Sequence, residues 1–121
     1  MLKNNFYSIT SQDQQDQSSS TVINIHPEHE IFKGHFPEKP VVPGVCMIQI
    51  VKEILQQNLS ANLLFQKGNQ IKFLQLLVPE KEQNIEVSIH WKLVEAGFQT
   101  SADFKKEGAV IFKLTGIFIP A

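Results

Sequence analysis

Residues 45–57 carry the most regular pattern in the chain. Met47, Ile48, Ile50, Val51, Ile54 and Leu55 recur at helical spacing on one broad arc, with Lys52, Glu53, Gln56 and Gln57 opposite. This predicts one amphipathic helix. Pro43 suits its first turn, where the missing N–H has no intrahelical partner, and Gly44 lets the backbone at the helix entry come close to a ligand. Residues 70–78, 84–95, 98–105 and 109–119 instead carry β-branched and aromatic side chains in partly alternating order. Turn signals separate them at Pro79-Glu80-Lys81, Ala96-Gly97 and Lys106-Glu107-Gly108. On the N-terminal side, residues 21–26 favour a strand that Pro27 stops, because proline cannot donate to the ladder. The polar residues 13–20 read as a turn or an exposed strand end between Phe6-Tyr7 and that strand. An irregular stretch with Pro37, Pro40 and Pro43 leads into the helix. Two short strands, a long helix and then about four antiparallel strands give an α+β arrangement, with the helix packed on one face of a curled sheet.

The 121 residues, 42% of them hydrophobic, fit one domain over 1–121. A chain of this size buries roughly two-thirds of its unfolded surface, so it needs no metal or disulfide staple. A net charge of -1, from 11 basic and 12 acidic residues without a basic stripe, argues against nucleic acid or an anionic membrane surface as a partner. No apolar run approaches the ~20 residues of a membrane span, and the N-terminus lacks the apolar centre of a secretory signal, so a soluble cytoplasmic protein is expected. Cys46 is the only cysteine and falls among Val45, Met47 and Ile48, where a thiol packs as a small hydrophobe.

Four histidines are available for chemistry. His90 alternates with apolar residues in Val87-Ser88-Ile89-His90-Trp91 and reads as an outward-facing polar position. His26 and His29 have the look of a metal pair, but no further Cys, Asp or His completes a tetrahedral set, and no metal site is expected. His35 differs in context: Gly34 precedes it, Phe36-Pro37 follows, and the helix entry Pro43-Gly44 comes shortly after. Glycine permits unusual backbone angles and the prolines stiffen the loop, so one imidazole orientation could be held beside a helix N-terminus.

The segment Phe32-Lys33-Gly34-His35-Phe36-Pro37-Glu38-Lys39-Pro40-Val41-Val42-Pro43-Gly44-Val45-Cys46-Met47-Ile48 closely resembles the signature of the 3-hydroxyacyl-acyl-carrier-protein dehydratases of fatty acid synthesis. Ile71-Lys72-Phe73-Leu74-Gln75-Leu76-Leu77-Val78-Pro79 looks like that family's strand after the helix. The resemblance implies a hot-dog fold, a long central helix wrapped by a curled antiparallel sheet. It gives His35 the role of base toward the proton beside the thioester carbonyl, and Gly44 the backbone N–H that polarises the carbonyl oxygen. Phe36 and Val45 would line the substrate. A histidine titrates near ~6.5 and can accept a proton at neutral pH. A helix N-terminus offers free N–H groups and a positive dipole end to a developing enolate oxygen.

The family's acid stands fourteen residues after that histidine, and this chain has Gln49 there. A glutamine amide donates and accepts hydrogen bonds but has no proton to transfer. Gln49 shares its side of the helix with Lys52, Glu53 and Gln56, which would place it in the solvated stripe. Val45 and Cys46 lie on that side one turn earlier, however, which favours a first turn buried all round and a pocket-facing Gln49.

The leading expectation is a dehydratase (a lyase) in lipid biosynthesis, in which Gln49 positions the 3-hydroxyl rather than protonating it. The alternatives are a non-catalytic carrier-binding or heteromer partner subunit, and a hot-dog acyl thioesterase. The implied partner is an acyl carrier protein bearing a 3-hydroxyacyl or enoyl chain, which Lys33, Lys39, Lys72 and Lys81 could meet. The implied assembly is a homodimer or higher homo-oligomer, with the loop histidine of one chain facing the helix position of the other. No cofactor is expected beyond the carrier's own arm, since no phosphate loop or dinucleotide fingerprint occurs. Phe73, Leu74 and Leu76 are candidates for a tunnel lining or for the core.

Overall fold

The computed structural model describes residues 2–34 and 40–121. Two N-terminal strands, β1 (Tyr7–Gln14) and β2 (Ser18–Ile25), form a hairpin. A one-turn helix α1 (Ile31–Gly34) and the long helix α2 (Gly44–Leu59) follow. The chain ends in β3 (Leu63–Phe73), β4 (Ile85–Val94), β5 (Gly97–Lys106) and β6 (Ala109–Pro120). All pairings are antiparallel, and the six strands lie in the order β1-β2-β4-β5-β6-β3.

Local chemistry sets the element ends. The β5–β6 hairpin turns through Glu107 and Gly108, both at positive φ, which is the two-residue geometry that matches strand twist. Helix α2 stops at Ser60, whose left-handed backbone (φ 51) lets its N–H reach the Gln56 and Gln57 carbonyls. Alternation along β4 buries Ile85, Val87, Ile89 and Trp91 and leaves His90 and Lys92 exposed, so His90 faces outward as expected. Met47, Ile50, Val51, Ile54 and Leu55 of α2 join those residues and Phe104, Phe112, Leu114 and Phe118 in one continuous core.

The chain departs from the expected elements at two places, the end of β3 and Glu53. Strand β3 begins at Leu63 and ends at Phe73, rather than spanning 70–78. Residues 74–79, apolar except for Gln75, are irregular; they are pinned by the Leu74 and Gln75 N–H groups to the Ile111 carbonyl and by Val42 N–H to the Leu77 carbonyl. The polar residues 13–20 agree with the expectation of a turn or strand end: they form the ends of β1 and β2, with the turn at 15–17. Glu53, expected on the solvated stripe, is only 4% exposed, because the N-terminal segment folds over it.

Candidate active site

Helix α2 opens without a side-chain cap: Pro43 takes the cap position in an extended conformation. The first main-chain bonds of the helix run from the Cys46 and Met47 N–H groups to the Pro43 carbonyl, at 3.0 and 3.3 Å. The N–H groups of Gly44 and Val45 have no acceptor among the described residues, as expected for the first turn of a helix. They are two donors without an acceptor among the described residues, at the positive end of a 16-residue helix. A Cβ at Gly44 would lie 2.5 Å from the tip of the Phe73 ring, so a side chain there would have to displace that exposed ring. The end of β3 thus lies directly against the helix entry, and the Phe73 ring in turn packs on Phe112 at 5.1 Å between centroids.

Val45 is 75% exposed, which corrects the expectation of a first turn buried all round. Cys46 and Met47 turn into the core, and Val45 points away from it. Val45 belongs with Ile71, Phe73, Leu74 and Leu76, large apolar side chains that are all exposed in the isolated chain. Cys46 is buried, and burial pushes its thiol above the ordinary range, consistent with packing rather than nucleophilic chemistry.

Gln49 is half-buried and donates from Nε2 to Glu53 Oε2 at 2.8 Å, one turn along the helix. Glu53 is the polar residue that periodicity misses. Its Oε2 also accepts the Leu2 N–H at 2.8 Å, and its Oε1 accepts the Lys3 N–H at 2.9 Å and the Tyr7 hydroxyl at 3.2 Å. Burial alone would push the Glu53 carboxyl up, but the hydrogen bonds from Leu2, Gln49, Lys3 and Tyr7 outweigh it and hold the group below its ordinary range. Burial, and then the Glu53 charge, push the fully buried Tyr7 hydroxyl well up, so it remains a donor. The one available signal in the sequence was the i, i+4 spacing of Gln49 and Glu53; the other donors lie about fifty residues away.

His35 and Phe36 lie outside the described residues, as do Glu38 and Lys39. The described part of the site therefore consists of Gly44, Val45 and Gln49 on the first turns of α2. His26 and His29 border a polar cleft of about 560 Å³ with Asn5, Glu28 and Glu30. Both ring nitrogens of His26 are engaged, Nδ1 by the Asn5 carbonyl at 2.8 Å and Nε2 by the Ser8 hydroxyl at 2.6 Å. His29 Nδ1 accepts the Ile31 N–H at 3.1 Å and so caps α1. No group of three metal-ligating side chains comes together among the described residues. Among the same residues, no helix is long and apolar enough to cross a membrane.

The fold has close counterparts among solved structures. A chain of the dehydratase heterocomplex ApeI:P from Xenorhabdus doucetiae superposes with a TM-score of 0.77 at 20% identity, over 93% of this chain and 96% of that one. A hypothetical thioesterase crystallised with coenzyme A, from Streptococcus pneumoniae, gives 0.69 at 10% identity, over 98% and 91%. At these identities the likeness establishes the hot-dog fold alone. Among curated proteins, the 3-hydroxyacyl-acyl-carrier-protein dehydratase FabZ of Ruminiclostridium cellulolyticum is 26% identical over 106 residues, covering 78% of this chain and 75% of that protein. The FabZ of Clostridium kluyveri is 32% identical over 73 residues, 54% and 51% of the two chains. That of a Janthinobacterium species is 43% identical over 37 residues, 31% and 24% of the two. The chain thus spans about half or less of the length of those last two relatives. A family model described as ApeI-like, ApeI dehydratase, matches residues 11–111. With a hot-dog fold and a family match running from β1 into β6, the chain belongs to the ApeI-like dehydratase family.

Proposed function

We propose that this protein dehydrates 3-hydroxyacyl thioesters presented by an acyl carrier protein. His35 takes the proton beside the thioester carbonyl, the Gly44 N–H polarises the carbonyl oxygen, and Gln49 orients the 3-hydroxyl. The observation that carries this reading is the uncapped entry of α2, where the Gly44 and Val45 N–H groups have no acceptor among the described residues and follow directly on the histidine loop. As the proton leaves, negative charge gathers on the carbonyl oxygen. Fixed N–H donors in a water-poor site stabilise that charge more than they stabilise the neutral ground state, which is how they lower the barrier. Phe36 and Val45 would hold the acyl chain near the thioester.

A second copy of the chain fits the reading. Strand β3 is an edge of the sheet, and the exposed Val45, Ile71, Phe73, Leu74 and Leu76 lie on or beside it. An open edge with large apolar side chains favours covering by another chain. The partner's histidine loop would then face Gln49 across the interface. One observation favours a variant of this assembly: Gln49 has no acidic proton and its amide nitrogen is already committed to Glu53. A different partner that brings a carboxylic acid to that position would complete the site; the Xenorhabdus structure is itself a dehydratase heterocomplex.

The test is incubation of the purified protein with a 3-hydroxyacyl carrier protein, following product by mass spectrometry. Loss of eighteen mass units, abolished in His35→Ala, is the expected result. Carrier binding without turnover would favour the partner-subunit reading, and release of free acid would identify a thioesterase.

A further inference from the structure

Gly34 is the last residue of the one-turn helix α1, and His35 follows it in the sequence. A single helical turn has too few hydrogen bonds of its own to hold a direction, so α1 must be fixed from outside. Among the described residues the fixing groups converge on His29. Its N–H donates to the His26 carbonyl at 3.2 Å, its carbonyl accepts the Phe32 N–H at 3.1 Å, and its Nδ1 accepts the Ile31 N–H at 3.1 Å. A main-chain N–H can only donate, so Nδ1 presents its lone pair and the ring proton sits on Nε2. The ring stands edge-on to Phe6 at 5.2 Å, and the fully buried Phe6 packs on the buried Phe32 of α1 at 5.4 Å. Phe6 belongs to the N-terminal segment whose Leu2 and Lys3 N–H groups are bound to Glu53 of α2. One continuous chain of contacts thus runs from α2 through Phe6 and His29 to α1, the element that precedes His35.

We infer that His29 is a positioning residue for the base: by tying α1 to Phe6 and to the turn after β2, it sets where His35 is delivered to the substrate. The inference rests on the dehydratase reading given above and adds to it a residue that touches no substrate. His29 cannot itself serve as the base, because its Nδ1 lone pair is held by the Ile31 N–H and its Nε2 carries the proton. His26 is spent in the same way on the Asn5 carbonyl and the Ser8 hydroxyl. A base acts only in the chemical step, so a small displacement of it lowers kcat while the contacts that bind the thioester, and with them KM, are kept. A merely structural role would instead lower the melting temperature and leave kcat per folded molecule unchanged.

Two substitutions separate the hydrogen bond from the packing. His29→Phe keeps an aromatic ring against Phe6 and removes the acceptor, whereas His29→Asn places Oδ1 where Nδ1 was and keeps it for the Ile31 N–H. Steady-state rates with a 3-hydroxyacyl carrier protein are measured on the full chain, at a temperature where melts show each variant folded. His29→Phe is expected to lower kcat about tenfold with KM within about twofold, and His29→Asn to restore kcat to within about threefold of the natural value. Limited trypsin digestion of the folded proteins reads α1 directly: cleavage after the exposed Lys33 should be about fivefold faster in His29→Phe and return to the natural rate in His29→Asn. Should His29→Phe not fold, His29→Leu, which also lacks the acceptor, takes its place. An unchanged kcat, a loss that His29→Asn does not restore, or a lowered kcat without faster cleavage after Lys33 would overturn the inference and leave the dehydratase reading standing. No turnover by the natural protein, beside an active control enzyme, would overturn both.

Discussion

Replacing Gln49 by Glu tests how the site handles protons. The new carboxyl would occupy the place of an amide nitrogen 2.8 Å from Glu53 Oε2. Two unit charges at that separation repel by about 1.5 kcal/mol in water and about 6 kcal/mol at an effective dielectric of 20. Gln49 is half-buried and Glu53 buried, so a value between these limits applies, about 3 kcal/mol or roughly two pKa units. Glu53 keeps its donors from Leu2, Lys3 and Tyr7, so the shared proton resides on residue 49. A side chain that titrates near ~4.3 when unfolded would then titrate near ~6 in the folded protein. Between those values the folded state binds more protons than the unfolded state. Stability relative to the natural protein is therefore highest below about pH 4, declines up to about pH 6 and is then level. The same raised value supplies a neutral carboxylic acid beside the 3-hydroxyl. Enoyl formation by Gln49→Glu should exceed that of the natural protein by about tenfold or more near pH 6, and the gain should fade as pH rises past that value. A pH–rate profile of both proteins, with thermal melts at each pH, checks the two effects together. No gain in rate, or a gain and a melting temperature both independent of pH, would refute the placement of residue 49 between Glu53 and the substrate.

Other perturbations have equally direct outcomes. Glu53→Ala leaves four donors, from Leu2, Lys3, Tyr7 and Gln49, facing a void and should lower stability by about 3 kcal/mol, read in a urea titration. The stabilising contribution of the natural Glu53 carboxylate, held below its ordinary range, is present above its unfolded pKa and should be lost as pH falls through its lower folded value; melts from pH 6 down to pH 2 would follow it. Gly44→Ala should displace the Phe73 ring, whose tip would lie 2.5 Å from the added methyl, and reduce turnover about tenfold with the core intact. Phe73→Lys with Leu76→Lys, at positions 57% and 75% exposed, should leave the chain folded but monomeric in sedimentation, with turnover lost.

The legible parts of the chain were those where one periodicity dominates. Helix α2 and strands β4, β5 and β6 fall within two residues of their expected ends, because their buried positions repeat at helical or alternate spacing and their turns carry Gly108 or Gly97. Strand β3 was legible only in its second half. As an edge strand it has Gln66, Lys67, Asn69 and Gln70 in or between its bulges, and so shows no alternation. The apolar run after it is held by a few main-chain bonds, from Leu74 and Gln75 to the Ile111 carbonyl and from Val42 to the Leu77 carbonyl, rather than by a ladder. Helical spacing reports only a residue's side and so predicts a solvated Glu53, whereas its cover comes from residues 2–7. The apolar character of Val45 predicts burial, but burial in one chain is not implied when a sheet edge with exposed apolar side chains stands beside it. Gly44 and Gln49 stand on the first turns of α2 as expected, whereas His35 and Phe36 lie outside the described residues.

The most direct test of the account is the mass of the acyl chain after incubation of the natural protein with a 3-hydroxyacyl carrier protein, beside His35→Ala. An enoyl product that requires His35 is expected. An unchanged 3-hydroxyacyl chain, under conditions where a FabZ control turns over, would contradict the assignment of dehydration to this chain acting alone.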